Sequence, residues 1–177
     1  MGQHVDKYIC TLAGCSDRVK AQLGSLQELA ESHEHSQFDL ITGTPPYFPS
    51  GQGAMPACQE SAGCLFELRG GIEDYANAAA TLLKPEGCFV VVNTSLAFDR
   101  TDCALKSAGL KVERVVDAIP KEGKSPLFSI FVATKPRTND VTTSEDSIVK
   151  ESITIRDKDG NRTLLYKELL DHLGKPG

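Results

Sequence analysis

Apolar and polar positions change period several times along the chain, and each change predicts an element. Val19 to Leu23 reads as a short strand. Leu26, Leu29 and Ala30 then recur at helical spacing behind Ser25, whose hydroxyl suits an N-cap. Phe38-Asp-Leu-Ile-Thr-Gly43 is a second strand and runs into a Gly-Thr-Pro-Pro turn. Ile72, Tyr75, Ala76, Ala79, Leu82 and Leu83 form a helical stripe that Lys84-Pro85-Glu86-Gly87 closes, and Phe89 to Asn93 is an apolar strand suited to the middle of a sheet. Asp99 is placed to cap a helix running to Ala108, with Gly109 as its left-handed stop. Leu110–Ile119 and Leu127–Thr134, joined by the short connection Pro120–Pro126, are expected to pair as an antiparallel hairpin.

Strands alternating with helical patterns predict an α/β fold, a parallel sheet with that hairpin at its edge. The Gly/Pro-rich stretch Pro49–Pro56 reads as a long loop, and loops of that length inside a domain are usually functional. Three segments follow from these patterns: a main domain over 1–137, a polar linker over 138–147, and an appendage over 148–177 holding a short strand and a helix.

Composition narrows the picture. At 177 residues and 19.1 kDa, with 40% hydrophobic and 24% charged residues, the chain suits one globular domain. No apolar run approaches the roughly 20 residues of a membrane helix, and the N-terminus lacks the apolar core of a signal peptide, so a cytoplasmic location and no membrane partner are expected. Six cysteines without a Cys-x2-Cys pair, and His33-x-His35 set among Glu31, Glu34 and Ser36, predict no metal site. The net charge is −5 but unevenly spread: residues 1–83 carry 4 basic and 10 acidic side chains, while 84–137 carry 9 basic and 6 acidic ones. A polyanion would prefer the middle third.

Candidate chemistry concentrates in Thr44-Pro45-Pro46-Tyr47-Phe48, at the carboxyl end of a predicted strand, where ligands bind in open α/β sheets. Prolines cannot donate hydrogen bonds, so nearby carbonyls are left as acceptors, and the two aromatics supply π-faces. Acceptors beside a stacking ring suit an exocyclic amino group on a base swung out of its stack.

On these residues the chain resembles the S-adenosylmethionine-dependent adenine-N6 methyltransferases with their Pro-Pro-Tyr motif, and in particular the branch acting on valine tRNA. The likeness extends to Asp17–Lys20 and Gly24–Gln27, to Glu67 and Arg69–Tyr75, to Leu82–Phe89, and to Gly123–Pro126 and Ile153–Asp157 with Tyr166. It implies a Rossmann-like methyltransferase sheet, S-adenosyl-L-methionine as cofactor, and RNA, tRNA above all, as substrate. Thr44 and the Pro45 carbonyl would accept hydrogen bonds from the target amino group, within a catalytic turn of Thr44, Pro45, Pro46 and Tyr47. Tyr47 would stack on the base, with Phe48 bordering the pocket. Gly24, Ser25, Leu26 and Thr44 would contact the cofactor.

The sequence departs from that family in three places. Thr44 stands for its usual Asn, and Ser25 for an acidic residue that bonds the cofactor adenine. No Gly-x-Gly-x-x-Gly precedes Val19. The expectation is therefore an N-terminally truncated methyltransferase sheet whose Phe38–Gly43 edge is open, or paired with another chain. Two other readings accompany it: methylation of a protein glutamine, whose carboxamide is also a planar amino group, and a non-catalytic interaction module descended from the enzyme.

Overall fold

The computed structural model describes residues 19, 24–32, 37–48, 66–67, 70–136 and 148–174. Five strands, β1 (Phe38–Gly43), β2 (Leu83–Thr94), β3 (Lys111–Ile119), β4 (Phe128–Thr134) and β5 (Val149–Thr154), form one sheet in the order β1-β2-β4-β3-β5. Four helices accompany them: α1 (Leu26–Ser32), α2 (Ile72–Leu82), α3 (Phe98–Ser107) and α4 (Leu164–His172). The predicted Val19–Leu23 strand, the Pro49–Pro56 loop and the 138–147 linker lie outside the described residues, wholly or nearly so.

The alternation in the sequence becomes a two-faced sheet. Phe89 and Val91 of β2, Phe131 and Ala133 of β4 and Val115 of β3 are buried together with Ile72, Ala76 and Ala79 of α2 and Ala104 and Leu105 of α3. The intervening Val90, Val92, Ile130 and Val132 are half-buried on the other face. β1 and β2 run parallel, as do β3 and β5, while β4 runs antiparallel to both of its neighbours. The fold is thus the mixed α/β class expected, with the β3–β4 hairpin in place. The sheet does not stop there, because Val149–Thr154 pairs alongside β3 from Arg114 to Ile119 as its outer strand. The hairpin is therefore covered on both sides, and its β3 strand is not an edge.

Two local expectations are corrected. Lys84-Pro85-Glu86-Gly87 does not separate helix from strand: α2 ends at Leu82 and β2 begins at Leu83, with the four residues bulging out of the β1–β2 ladder between the pairs Phe38–Leu83 and Leu40–Cys88. Glu86 takes a left-handed φ of 65°, and a Cβ on Gly87 would come within 2.8 Å of the Lys84 carbonyl. Lys135 closes the bulge: its N–H donates to Gly87 O, its carbonyl accepts from Glu86 N, and its ammonium donates to Leu83 O. Nor does Asp99 cap α3. The 3-10 turn Ser95–Ala97 comes first and makes Ala97 the N-cap, leaving Asp99 in the first turn, where its charge faces the positive helix end. The far end follows expectation, with Gly109 at φ +78° and the Leu110 N–H on Leu105 O.

Ser25 is the N-cap of α1. Its Oγ accepts from Glu28 N at 3.1 Å while Glu28 Oε2 accepts from Ser25 N at 2.8 Å, and the Ser25 N–H, then its side chain, lower the Glu28 pKa by bonding the carboxylate.

Leu105 is fully buried between α3 and the sheet, whereas Leu96 is 96% exposed. Leu105→Ala is expected to cost about 2–5 kcal/mol and Leu96→Ala less than about 0.5 kcal/mol, as read from urea denaturation midpoints.

Candidate functional site

Thr44 follows β1 directly, so the turn Thr44–Phe48 leaves the sheet at its carboxyl end. Gly43 makes this exit fit: a Cβ there would lie 2.9 Å from Tyr75 Cδ1 and 3.4 Å from Phe89 Cε2. The absence of a side chain lets the α2 tyrosine lie against the strand. Pro45 is fully buried and anchors the turn, Pro46 and Tyr47 are half-buried, and Thr44 and Phe48 are exposed. Among the described residues no hydrogen bond reaches the Thr44 hydroxyl or the Pro45 carbonyl.

Both aromatics meet partners the sequence did not single out for this role. The Tyr47 ring stands 5.1 Å from that of Phe128, tilted by 48°. Phe128 begins β4 opposite Thr94, the last residue of β2, so the ring pair lies across the carboxyl ends of β1 and β2. Phe48 pairs in parallel with Phe66, their rings 5.7 Å apart, and the Phe48 carbonyl accepts from Glu67 N at 2.9 Å. Glu67 in turn receives two bonds from Arg100 of α3, at 2.7 and 3.0 Å. Arg100 also donates twice to Glu73 of α2, each at 2.7 Å. These bonds raise the guanidinium pKa, Glu73 contributing most and then Glu67, and they lower that of Glu73.

A polar chain fixes the end of β2. Ser129, buried, donates to Asp117 Oδ1 at 2.5 Å, and its Oγ lies 3.0 Å from Ser95 Oγ. With its one hydrogen committed to the carboxylate, Ser129 can only accept from Ser95. Nearby, buried Asn93 donates to Thr101 Oγ1 and accepts from Thr94 N.

The remaining predicted residues, Gly24, Ser25 and Leu26, stand at the start of α1, apart from the turn. Their helix lies on α2 through Gln27 Nε2, which donates to Asp74 Oδ1 at 2.6 Å, and α2 links the two groups because its Tyr75 packs on Gly43. A groove of about 220 Å³ between α1 and α2 is lined by Leu26, Gln27, Asp74 and Thr81 among others, and no residue of Thr44–Phe48 borders it. That is below the roughly 300–1,000 Å³ of small-molecule sites. Among the described residues no three His, Cys, Asp or Glu side chains converge as a metal site would require, and no helix is long and apolar enough to cross a membrane.

Sheet order and helix placement define the class of fold as Rossmann-like. Comparison with solved structures agrees: the chain is similar to a predicted O-methyltransferase, protein Atu636 of Agrobacterium tumefaciens, at 12% identity and a TM-score of 0.59, over 98% of this chain and 72% of that one. It is more loosely similar to the PvuII DNA methyltransferase, described as cytosine-N4-specific (16% identity, TM-score 0.46, 88% of this chain and 62% of that one). The same holds for M1.HpyAVI in complex with SAM (12% identity, TM-score 0.41, 73% and 65%). These two overlaps carry no weight in the assignment, which rests on the Agrobacterium protein and concerns the fold alone. No protein-family model matches the chain, and no curated protein does.

Gly43→Ala is expected to force Tyr75 off the strand and to destabilise the chain by about 1–3 kcal/mol, measured by chemical denaturation.

Proposed function

We propose that this chain is an S-adenosylmethionine-dependent N-methyltransferase acting on the exocyclic amino group of adenine in RNA, with tRNA as the RNA. The observation that carries the reading is the pairing of Tyr47 with Phe128 beside a Thr44 hydroxyl and a Pro45 carbonyl that no described residue bonds. A flat, amino-bearing ring is the ligand that uses both features. Tyr47, backed by Phe128, offers a ring face to it, and the two oxygens accept the hydrogens of its amino group. As those oxygens accept, they draw the amino hydrogens toward themselves and leave the nitrogen lone pair better able to attack, so the protein's part is positioning and electrostatics.

The cofactor, when bound, supplies a methyl group on a sulfonium. Ser25 would lie at its adenine end, where its hydroxyl, already engaged with Glu28, caps α1. Gly24 and Leu26 would flank it, and Thr44 would stand between cofactor and substrate. The methyltransferase named among the similar folds supports the class of reaction.

The tRNA part of the reading rests on Gly123–Pro126 and Ile153–Asp157, and the second of these is bonded to residues just before the first. Ile155 N donates to Ile119 O and Glu122 N to Arg156 O, at 2.9 and 2.8 Å. The middle third of the chain, where this connection lies, is also its net positive part.

Incubation of the chain with labelled S-adenosylmethionine and a tRNA pool, followed by nuclease digestion, is expected to yield N6-methyladenosine. Tyr47→Ala should lower kcat/KM for tRNA by about tenfold to a hundredfold, the usual worth of one stacked base. A rate untouched by Tyr47→Ala overturns the assigned roles, and label recovered on protein glutamine selects the other amino-group substrate.

A further inference from the structure

Phe48, at the aromatic end of the turn, is tied to Phe66 and Glu67 across 17 intervening residues. Bringing such distant positions together costs chain entropy that one backbone hydrogen bond and one ring contact offset only in part. The remaining hold on Glu67 comes from Arg100. The guanidinium meets the Glu67 carboxylate fork to fork and meets Glu73 along its other edge, so one side chain joins the Phe66–Glu67 segment, α2 and α3. The two arms are unlike: the Glu67 side chain is 14% exposed and that of Glu73 49%. The Glu67 arm is therefore the desolvated one, less screened by water and salt. Gly71 leaves room for it. Its φ of −115° is open to any residue, but a Cβ would stand 2.8 Å from Glu67 Cδ and 2.9 Å from Arg100 Nη2.

We propose that Arg100 is a positioning residue for the candidate site. By gripping Glu67 it fixes the Glu67 N–H on the Phe48 carbonyl and Phe66 on the Phe48 ring, and so sets the aromatic end of the turn on which a substrate base is laid. The mention of a base rests on the methyltransferase reading; the grip on Phe48 does not. Lysine cannot replace the arginine, because an ammonium has no planar fork with which to bind two carboxylates bidentately at once.

The test uses Arg100→Lys, Glu67→Gln and Glu73→Gln in the whole chain, with two readouts. Amide hydrogen exchange needs no substrate. Exchange at Glu67 N–H is expected to quicken about tenfold or more in Arg100→Lys and Glu67→Gln and to stay within about twofold in Glu73→Gln, while Val91 and Phe131 remain slow in all three. In methyl transfer, the first two variants are expected to raise KM for tRNA about tenfold, with kcat and the KM for cofactor within about threefold of the parent, and Glu73→Gln to resemble the parent. A purely structural bridge would instead lower the melting temperature in both glutamate variants and quicken Glu67 exchange in both alike. That result overturns the proposal, as does an unchanged Glu67 amide in Arg100→Lys, or a quickened amide with an unchanged KM in an active enzyme. Should Arg100→Lys fail to fold, the contrast between the two glutamate variants decides the matter. If exchange responds as expected but the parent chain methylates no RNA, the grip on Phe48 stands and the methyltransferase reading falls.

Discussion

A single row of residues crosses four strands and sets the position of everything at the carboxyl end of the sheet. Gly43 of β1 lies opposite Val91 of β2, Val91 opposite Phe131 of β4, and Phe131 opposite Val115 of β3. Val91, Phe131 and Val115 are buried to 2% exposure or less. The row is graded in size, from a ring in the middle to no side chain at its β1 end, and the room left above Gly43 is filled by Tyr75 from α2. A slip of one residue would turn each of these side chains to the opposite face, so register is strongly specified here. Because the turn starts one residue beyond the row, the core fixes the height at which Thr44 emerges.

From that starting point the turn is steadied by contacts of different kinds. Pro45, buried, removes backbone freedom and a donor at once. Tyr47 leans on Phe128, a contact worth about 0.5–1.5 kcal/mol beyond the area it buries, and the Ser95–Ser129–Asp117 chain keeps the neighbouring ends of β2, β4 and β3 together. Phe48 is held through Glu67 by a charge network. The oxygens between these supports, on Thr44 and Pro45, are the groups without a described partner. A rigid frame around acceptors that no described residue bonds is the arrangement on which the proposed reading relies, since little has to reorganise when a donor arrives.

What could be read from sequence was local. Phe38–Gly43, the α2 stripe, the Ser25 cap and the Gly109 stop each declare themselves within a few residues, through side-chain period or through a backbone conformation that one residue type favours. The misreadings involve bonds that a segment's own pattern does not show. Lys84–Gly87 has the composition of a turn, and it takes three bonds from Lys135 to make it a bulge inside a strand. Val149–Thr154 looks like an appendage because its pairing with β3 depends on register and leaves no trace in its own pattern. Asp99 is a reasonable cap in isolation, and Ala97 takes the place because Asn93 and Thr101 fix the preceding turn, Asn93 donating to Thr101 Oγ1 and Thr101 to the Ala97 carbonyl. The candidate site divides likewise. Thr44–Phe48 is visible as a motif, whereas Phe128, Arg100 and the serine chain come from elements read only as strands and a helix.

Among the described residues β1 and β5 are the outer strands of the sheet, and they are built differently. Beside an exposed Val149, β5 presents Lys150, Glu151 and Ser152 to solvent, charged and polar side chains of the kind that discourage another strand from adding. β1 presents Phe38 and Leu40, 41% and 57% exposed, and its one charge, Asp39, is offset by Lys84 at 2.8 Å. β1 is also the strand from which Thr44 emerges, so its surroundings are those of the turn.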